Sequence, residues 1–201
     1  MSQRIGIMGG SFDPIHIGHL VTAQEVYEQF ALDKVIFMVA GLHPLKTSGV
    51  TLASQRLEMV RLAVADNPHF EASDIEVNRK ETSYTIDTMR ELHQQHPDDT
   101  EFFFITGADA VFEILEWKDA GTLAHMTTFV GATRPGYDIE RAKARHEHSV
   151  ERFDIRYVEV PALAVSSTDI RARVRQRRDV RYLVRDEVDA YIRTHHLYTK
   201  G

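Results

Sequence analysis

Two histidines, His16 and His19, stand three residues apart and follow a glycine-rich turn. The turn has the sequence Gly-Gly-Ser-Phe-Asp-Pro at residues 9–14 and comes directly after a short apolar run at 5–8. The glycines allow a sharp turn and Pro14 stiffens it, so that a helix beginning near His16 places both imidazoles on one face. A helix N-terminus has unpaired amides and a positive dipole end, which attract anions. The pattern predicts a site for a polyphosphate.

The two histidines also have simpler explanations. They can form a polar face at the start of a helix, or they can supply half of a metal site. Zinc is disfavoured because the chain contains no cysteine and Asp13 is the only acid near the pair. We therefore predict no metal held by protein side chains alone.

A second candidate anion site lies at Ser166-Ser-Thr-Asp-Ile-Arg171, where a strand exit meets a helix that continues through Val174. Ser166, Ser167 and Thr168 provide hydroxyls and amides at the helix N-terminus, and Arg171 follows one turn later. A plain helix cap is the alternative. Together with the histidines, this second site suits one long polyanion such as a triphosphate.

A third helix start lies within residues 81–89, which contain three hydroxyl side chains and a tyrosine. Thr82 or Ser83 can cap this helix, and its buried stripe is predicted to comprise Ile86, Met89 and Leu92. Because one cap needs only one hydroxyl, a small anionic group such as a carboxylate could dock on these amides and on Thr85.

The apolar strand at 102–105 ends at Gly107, which allows close approach of a flat ligand. Asp109 either accepts hydrogen bonds from a ribose or caps the next helix, which is predicted to carry Phe112, Leu115 and Trp117. Trp117 either packs in the core or stacks on an aromatic ring of a ligand.

Two basic residues are predicted to lie near the same cleft. Lys46 belongs to the loop 40–51, which is rich in Gly and Pro, and it either reaches a phosphate or is a solvated loop lysine. Arg134 belongs to the turn 133–136 that follows a strand and can point toward the cleft.

Apolar, β-prone runs at 5–8, 35–39, 102–105, 129–130 and 155–160 alternate with segments of helical period. This alternation predicts an α/β fold with right-handed crossovers and a doubly wound, mostly parallel sheet of Rossmann-like type. In such sheets ligands bind beyond the carboxyl ends of the strands. Residues 52–64 are predicted to form an amphipathic helix with Arg56 and Arg61 on its solvent-exposed face.

The 201 residues, 43% of them hydrophobic, are enough for one core, and we predict a single domain over 1–201. No apolar run is long enough to cross a bilayer or to serve as a signal peptide, so we expect a soluble cytoplasmic protein without a membrane partner. A net charge of −6 argues against nucleic-acid binding. The locally basic stretch 171–185 is assigned to a solvated helix face or to a homo-oligomer contact.

The two terminal motifs together resemble the HxGH and SSTxIR motifs of the nucleotidylyltransferase superfamily. The Gly-Ser-Phe-Asp-Pro lead-in resembles that of its adenylyltransferases. Residues 83–88 (Ser-Tyr-Thr-Ile-Asp-Thr), Gly107-Ala-Asp109 and Trp117-Lys118-Asp119 resemble the bacterial nicotinate mononucleotide adenylyltransferases. One departure lies in the loop, where many relatives have Pro-Pro-His-Lys and this chain has His43-Pro44-Leu45-Lys46.

The resemblance implies transfer of AMP from ATP to nicotinate mononucleotide, with Mg²⁺ bound to the ATP and with pyrophosphate as a product. His16, His19 and Arg171 are the implied catalytic residues. The implied ATP-binding set is Gly9, Gly10, Ser11, Phe12, His16, His19, Gly107, Asp109, Ser167, Thr168 and Arg171. The implied acceptor-binding set is Lys46, Tyr84, Thr85, Trp117 and Arg134, with Thr85 at the carboxylate and Trp117 stacked on the pyridine ring.

Two alternatives remain at this point. One is a related transferase that uses pantetheine phosphate as acceptor or CTP as donor. The other is a non-catalytic nucleotide-binding module of the same fold. The joint presence of two anion sites and an aromatic pocket favours an enzyme.

Overall fold

The computed structural model describes residues 2–41, 51–139 and 152–199. Within these ranges six parallel strands form one sheet in the order β3-β2-β1-β4-β5-β6. The strands are β1 (Arg4–Gly10), β2 (Lys34–Val39), β3 (Phe70–Ser73), β4 (Glu101–Gly107), β5 (Thr128–Thr133) and β6 (Ile155–Glu159). The helices are α1 (Ile17–Gln29), α2 (Ala53–Val64), α3 (Thr85–Gln95), α4 (Ala108–Phe112), α5 (Ala120–Ala124), α6 (Ser167–Arg175) and α7 (Asp186–Thr194). The doubly wound, Rossmann-like α/β fold expected from the sequence is confirmed.

The central strands read as continuous apolar runs because both faces of the sheet are covered by helices. Alternate residues of one strand enter different cores: Phe103 and Ile105 face the side packed by α1, α2, α6 and α7, whereas Phe102 and Phe104 face the side packed by α3. The two-residue period of a strand therefore divides each apolar run between two layers. Ile86, Met89 and Leu92 are fully buried in the second layer, as predicted for α3.

The strand order reverses between β1 and β4, which pair in parallel along residues 4–8 and 101–105. Crevices in doubly wound sheets open at such a reversal, beyond the carboxyl ends of the strands. Here those ends carry Gly9 on β1 and Thr106 with Gly107 on β4. The motifs that the sequence singles out converge on this edge.

Several local predictions were wrong. Strand β3 was missed because Phe70-Glu-Ala-Ser is short, only half apolar and at the sheet edge. Helix α3 has Tyr84 at its N-cap without a side-chain hydrogen bond, so neither Thr82 nor Ser83 caps it. Likewise Gly107, not Asp109, is the N-cap of α4. The single helix predicted to carry Phe112, Leu115 and Trp117 is divided into α4 and a 3₁₀ turn, Ile114–Glu116.

Arg56 is the clearest correction on a helix. The predicted helix 52–64 is observed as α2, and Arg61 is half-exposed on its outer face as expected. Arg56, by contrast, is only 2% exposed. Its guanidinium lies among backbone carbonyl oxygens that a helical-period argument does not take into account.

Candidate active site

The histidine pair lies at the start of α1, as predicted. His16 is the N-cap residue and His19 lies in the first turn. Their rings stack with centroids 3.7 Å apart and planes 25° from parallel. The His16 backbone N–H donates to His19 Nδ1 at 3.2 Å. Because Nδ1 accepts, the neutral ring of His19 carries its proton on Nε2, which leaves an N–H donor for a ligand.

Burial determines the charge of both rings. It lowers the pKa of His16 to about 4, and the positive charge of Arg134 adds to this effect. Burial, and to a smaller extent the proximity of His16, lowers the pKa of His19 to about 3. Both imidazoles are therefore neutral near pH 7 and act as hydrogen-bond donors. A polyphosphate placed against them would favour the protonated forms and raise both pKa values.

Gly18 lies between the two histidines in sequence, at a position where a side chain would crowd its neighbours. A Cβ atom at this position would lie 3.1 Å from Cε1 and Nδ1 of His16 and 3.0 Å from Cγ1 of Val165. On the other side of the pair, the Phe12 ring meets the His19 ring edge-on at 5.1 Å. The histidine rings are thus fixed by packing on both sides.

A cavity of about 350 Å³ opens beside the histidines. We call it the histidine cavity. It brings together residues from five separate parts of the chain, and among them are most of the predicted phosphate-binding residues. Its lining includes Gly9, His16, His19, Thr106, Gly107, Arg134, Ser166 and Ser167.

The N-terminus of α6 closes one side of the histidine cavity. The Ser166 hydroxyl accepts from the Asp169 N–H at 3.1 Å and is the helix cap that the sequence suggested. The Ser167 hydroxyl donates to the Pro14 carbonyl at 2.8 Å. Arg171 donates through Nη1 to the Asp13 carbonyl at 2.6 Å and through Nη2 to Thr168 Oγ1 at 3.3 Å. Helix α6 is therefore tied to the loop that precedes His16.

A second cavity, of about 570 Å³, opens on the other side of β1. We call it the tryptophan cavity. It shares Gly9 and Thr106 with the histidine cavity, so that the two meet at the strand reversal. Its lining includes Gly9, Gly10, Ser11, Ala40, Glu76, Ser83, Tyr84, Thr85, Thr106, Trp117 and Lys118.

An aromatic wall bounds the tryptophan cavity. The Trp117 ring meets Phe104 and Phe129 edge-on at 5.7 and 6.2 Å, which anchors the indole while part of it stays accessible. Lys118 Nζ lies 4.2 Å from the centroid of the Tyr84 ring and 3.1 Å from Asp87 Oδ2. This wall can accept a flat aromatic ligand, and Lys118 adds positive charge beside it.

The N-terminus of α3 supplies the polar side of the tryptophan cavity, where Thr85 is the first helical residue. Glu76 also lines this cavity, and its Oε1 accepts from the Thr88 hydroxyl at 2.7 Å. Burial raises the pKa of the Glu76 carboxyl. The helix amides favour an anionic group on this side of the cavity.

Not every predicted site residue lines one of these cavities. Phe12 is 2% exposed, and its ring packs on His19 and Phe37. Asp109, Thr168 and Arg171 also lie outside both linings. Arg134 lies in the histidine cavity and not with the aromatic wall. Lys46 belongs to 42–50 and lies outside the described residues.

The residues that line the cavities but were not assigned to the site from the sequence include Thr106, Glu76 and Lys118. Thr106 and Lys118 stand next to selected residues, so their position after a strand and beside Trp117 was a usable signal. No signal in the sequence pointed to Glu76, because its position at the cavity depends on how residues 74–83 fold. Across the described ranges, no three His, Cys, Asp or Glu side chains could jointly hold a metal ion. Nor does any helix described there have the length and apolarity to cross a membrane.

Comparison with known proteins identifies the family. Residues 7–173 match the family model described as cytidylyltransferase-like. The chain is 49% identical over 198 residues to a probable nicotinate-nucleotide adenylyltransferase of Moorella thermoacetica. That alignment covers 97% of this chain and 91% of the relative. It is 50% identical over 195 residues to a protein of the same name from Clavibacter michiganensis, with 97% and 94% covered.

Solved structures agree on the fold. The nicotinic acid mononucleotide adenylyltransferase of Plasmodium falciparum complexed with NaAD superposes with a TM-score of 0.80 at 19% identity, over 99% of this chain and 98% of the other. The same protein complexed with APC gives a TM-score of 0.78. The resemblance read from the motifs is confirmed: this chain belongs to the cytidylyltransferase-like superfamily and, within it, to the nicotinate-nucleotide adenylyltransferase family.

Proposed function

We propose that this chain transfers AMP from ATP to nicotinate mononucleotide and forms nicotinate adenine dinucleotide and pyrophosphate in NAD biosynthesis. The observation that carries the proposal is the junction of two cavities at Gly9 and Thr106. One cavity is lined by hydrogen-bond donors suited to phosphates, and the other combines an aromatic wall with a helix N-terminus. A donor nucleotide and an acceptor nucleotide bound in them meet at the strand reversal.

In this proposal ATP occupies the histidine cavity as its Mg²⁺ complex, whose cation neutralises part of the phosphate charge. His16, His19 and the N-terminus of α6 bind the phosphates, and the adenosine lies along Gly9 and Gly107. Arg171 and Asp109 lie outside the lining of this cavity, and their roles at the phosphates and the ribose are kept on the sequence motifs alone. Arg134 acts on the phosphates, because it lines the same cavity and its charge already acts on His16.

Nicotinate mononucleotide occupies the tryptophan cavity. Its pyridine ring stacks on Trp117, and its carboxylate accepts hydrogen bonds from the amides around Thr85. Tyr84 and Lys118 complete that side of the cavity. Lys46 is kept as a phosphate-binding residue of the proposal on the sequence motif alone.

The proposed reaction is a direct, in-line transfer. A phosphate oxygen of nicotinate mononucleotide, already ionised near neutral pH, attacks the α-phosphorus of ATP while the bond to the β-phosphate oxygen breaks. No general base and no covalent enzyme intermediate are needed. The protein must hold two polyanions in line and stabilise the charge that builds on the departing pyrophosphate. The N–H donors of the histidines and Arg171 suit this task.

The test is pyrophosphate release from ATP and Mg²⁺ with nicotinate mononucleotide, its amide analogue or pantetheine phosphate as acceptor. We expect kcat/KM to be highest for the acid, by at least about tenfold over the amide, because the Thr85 amides recognise a carboxylate. Preference for the amide would overturn the carboxylate site. Turnover with pantetheine phosphate alone, or ATP binding without turnover, would overturn the proposed function in favour of a related transferase or a binding module.

Two further expectations belong to this proposal. A cytoplasmic location fits an enzyme that draws on the ATP and nucleotide pools of the cell. Association into a homo-oligomer stays a prediction, and sedimentation of the purified protein measures it. The arginines of 171–185 belong either to that contact or to a solvated helix face.

A further inference from the structure

Arg56 is a buried cation whose hydrogen-bond partners are backbone carbonyls. Nε donates to Thr51 O at 2.9 Å, Nη1 donates to Ser11 O at 2.6 Å, and Nη2 donates to Ala40 O at 2.7 Å and more weakly to Gly41 O at 3.4 Å. Burying a guanidinium is costly unless its donors are satisfied. Four carbonyl partners meet that requirement.

The partners of Arg56 come from three separate segments, two of which line the tryptophan cavity. Ser11 follows β1, Ala40 with Gly41 follows β2, and Thr51 precedes α2. Ser11 and Ala40 themselves line that cavity. One side chain therefore fixes the spacing between the ends of two neighbouring strands at the edge where the substrates are proposed to meet.

The same loop is held from its other side by the C-terminal segment. Asp13 is 6% exposed, and its Oδ1 accepts from the Tyr198 hydroxyl at 2.7 Å. Burial raises the pKa of that hydroxyl, so it remains a donor. The Asp13 carbonyl also accepts from Arg171. Since Asp13 stands only three residues before His16, movement of this loop shifts the start of α1 and both imidazoles.

The carbonyl oxygens that Arg56 binds carry partial negative charge close to a site proposed for two polyanions. With the guanidinium in place these oxygens point at a cation and are satisfied. Without it they are free to turn toward the cavity, where they would repel the phosphates. Loss of Arg56 would therefore impair the site in two ways, by moving the strand ends and by turning negative charge toward the phosphates.

We propose that Arg56 is a positioning residue for adenylyl transfer, and that Tyr198 assists it through Asp13. The guanidinium holds the carbonyls of Ser11 and Ala40 so that the acceptor in the tryptophan cavity stays aligned with the phosphates bound at the histidines. The inference rests on the proposed function, because alignment is measured through that reaction.

The test compares Arg56→Lys and Tyr198→Phe with the wild type and with Arg61→Lys, a matched change at a half-exposed arginine on the same helix. Circular dichroism and thermal melts establish the folded fraction, and kcat and KM for both substrates are measured well below the melting temperature. We expect Arg56→Lys to lower kcat by about tenfold to a hundredfold, and Tyr198→Phe to lower it by several-fold, with smaller changes in KM. Arg61→Lys should match the wild type.

If folded Arg56→Lys keeps the wild-type kcat, whatever its melting temperature, then Arg56 has a purely structural role and the proposal is overturned. If Arg56→Lys does not fold, Tyr198→Phe decides by the same criterion. Absence of adenylyl transfer in the wild-type protein would instead contradict the proposed function, so the two failures are distinguishable.

Discussion

At the scale of single residues, His19 is the side chain on which the proposed transfer depends most directly. Its Nδ1 is occupied by the backbone N–H of His16, which leaves Nε2–H to face a ligand. Its lowered pKa makes it a neutral donor until a polyanion arrives. We expect His19→Ala to lower kcat by about a hundredfold, because one preorganised donor to developing charge typically contributes that much.

Steady-state pyrophosphate release measures this effect, with His125→Ala as the control. His125 is an exposed histidine outside both cavities, so its loss should leave kcat unchanged. Because His19 Nδ1 also accepts the N-cap N–H of His16, His19→Ala should lower the melting temperature by roughly a few degrees, and kcat is therefore measured well below it. A well-folded His19→Ala protein with normal turnover would remove His19 from the mechanism.

At the scale of elements, the start of α1 depends on a residue without a side chain. Gly18→Ala adds a methyl group 3.1 Å from the His16 ring and 3.0 Å from Val165, closer than ordinary contact distance. Either the ring or the segment before α6 must move. We expect kcat/KM to fall at least about tenfold, because small displacements of aligned groups are costly.

Stability should respond differently from activity in Gly18→Ala. Alanine in a helix is favoured over glycine by up to about 1 kcal/mol, which offsets part of the strain, so the melting temperature should shift by only a few degrees. Gln29→Ala, an exposed change at the other end of α1, is the control for both measurements. A rise in melting temperature with full activity would mean that His16 has room to adjust.

The elements also show what the sequence can and cannot predict. The apolar runs, the glycine turn and the helix starts at His16 and Ser166 were predictable because each depends on neighbours within one turn or one strand. Edge strand β3 was not, since it pairs only with β2 and half of its four residues are polar. The helical period predicts that Arg56 faces solvent, yet its hydrogen-bond partners lie up to 45 residues away in the sequence. Long-range contacts of this kind leave no local signal.

At the scale of the whole molecule, the buried histidine pair makes folding depend on pH. Both pKa values are lower in the folded protein, about 4 and about 3, than the ordinary value of 6.5. The unfolded chain therefore binds more protons than the folded one below pH 6.5, and stability falls as the pH drops through that window. Glu76 acts in the opposite direction, because its pKa is raised in the fold and protonation favours the native state.

Replacing both rings should flatten this dependence. At pH 5.0 each neutral, buried histidine costs roughly 2 kcal/mol relative to pH 7.5, because the unfolded ring is protonated there and the folded one is not. We expect the free energy of unfolding, measured with urea at both pH values, to differ less in the double variant His16→Asn, His19→Asn than in the wild type. His125→Asn, an exposed histidine, should keep the wild-type difference. An unchanged difference in the double variant would mean that the folded rings titrate near the ordinary pKa of 6.5. The pair would then gain positive charge below that pH, and would not stay the neutral donors that we infer.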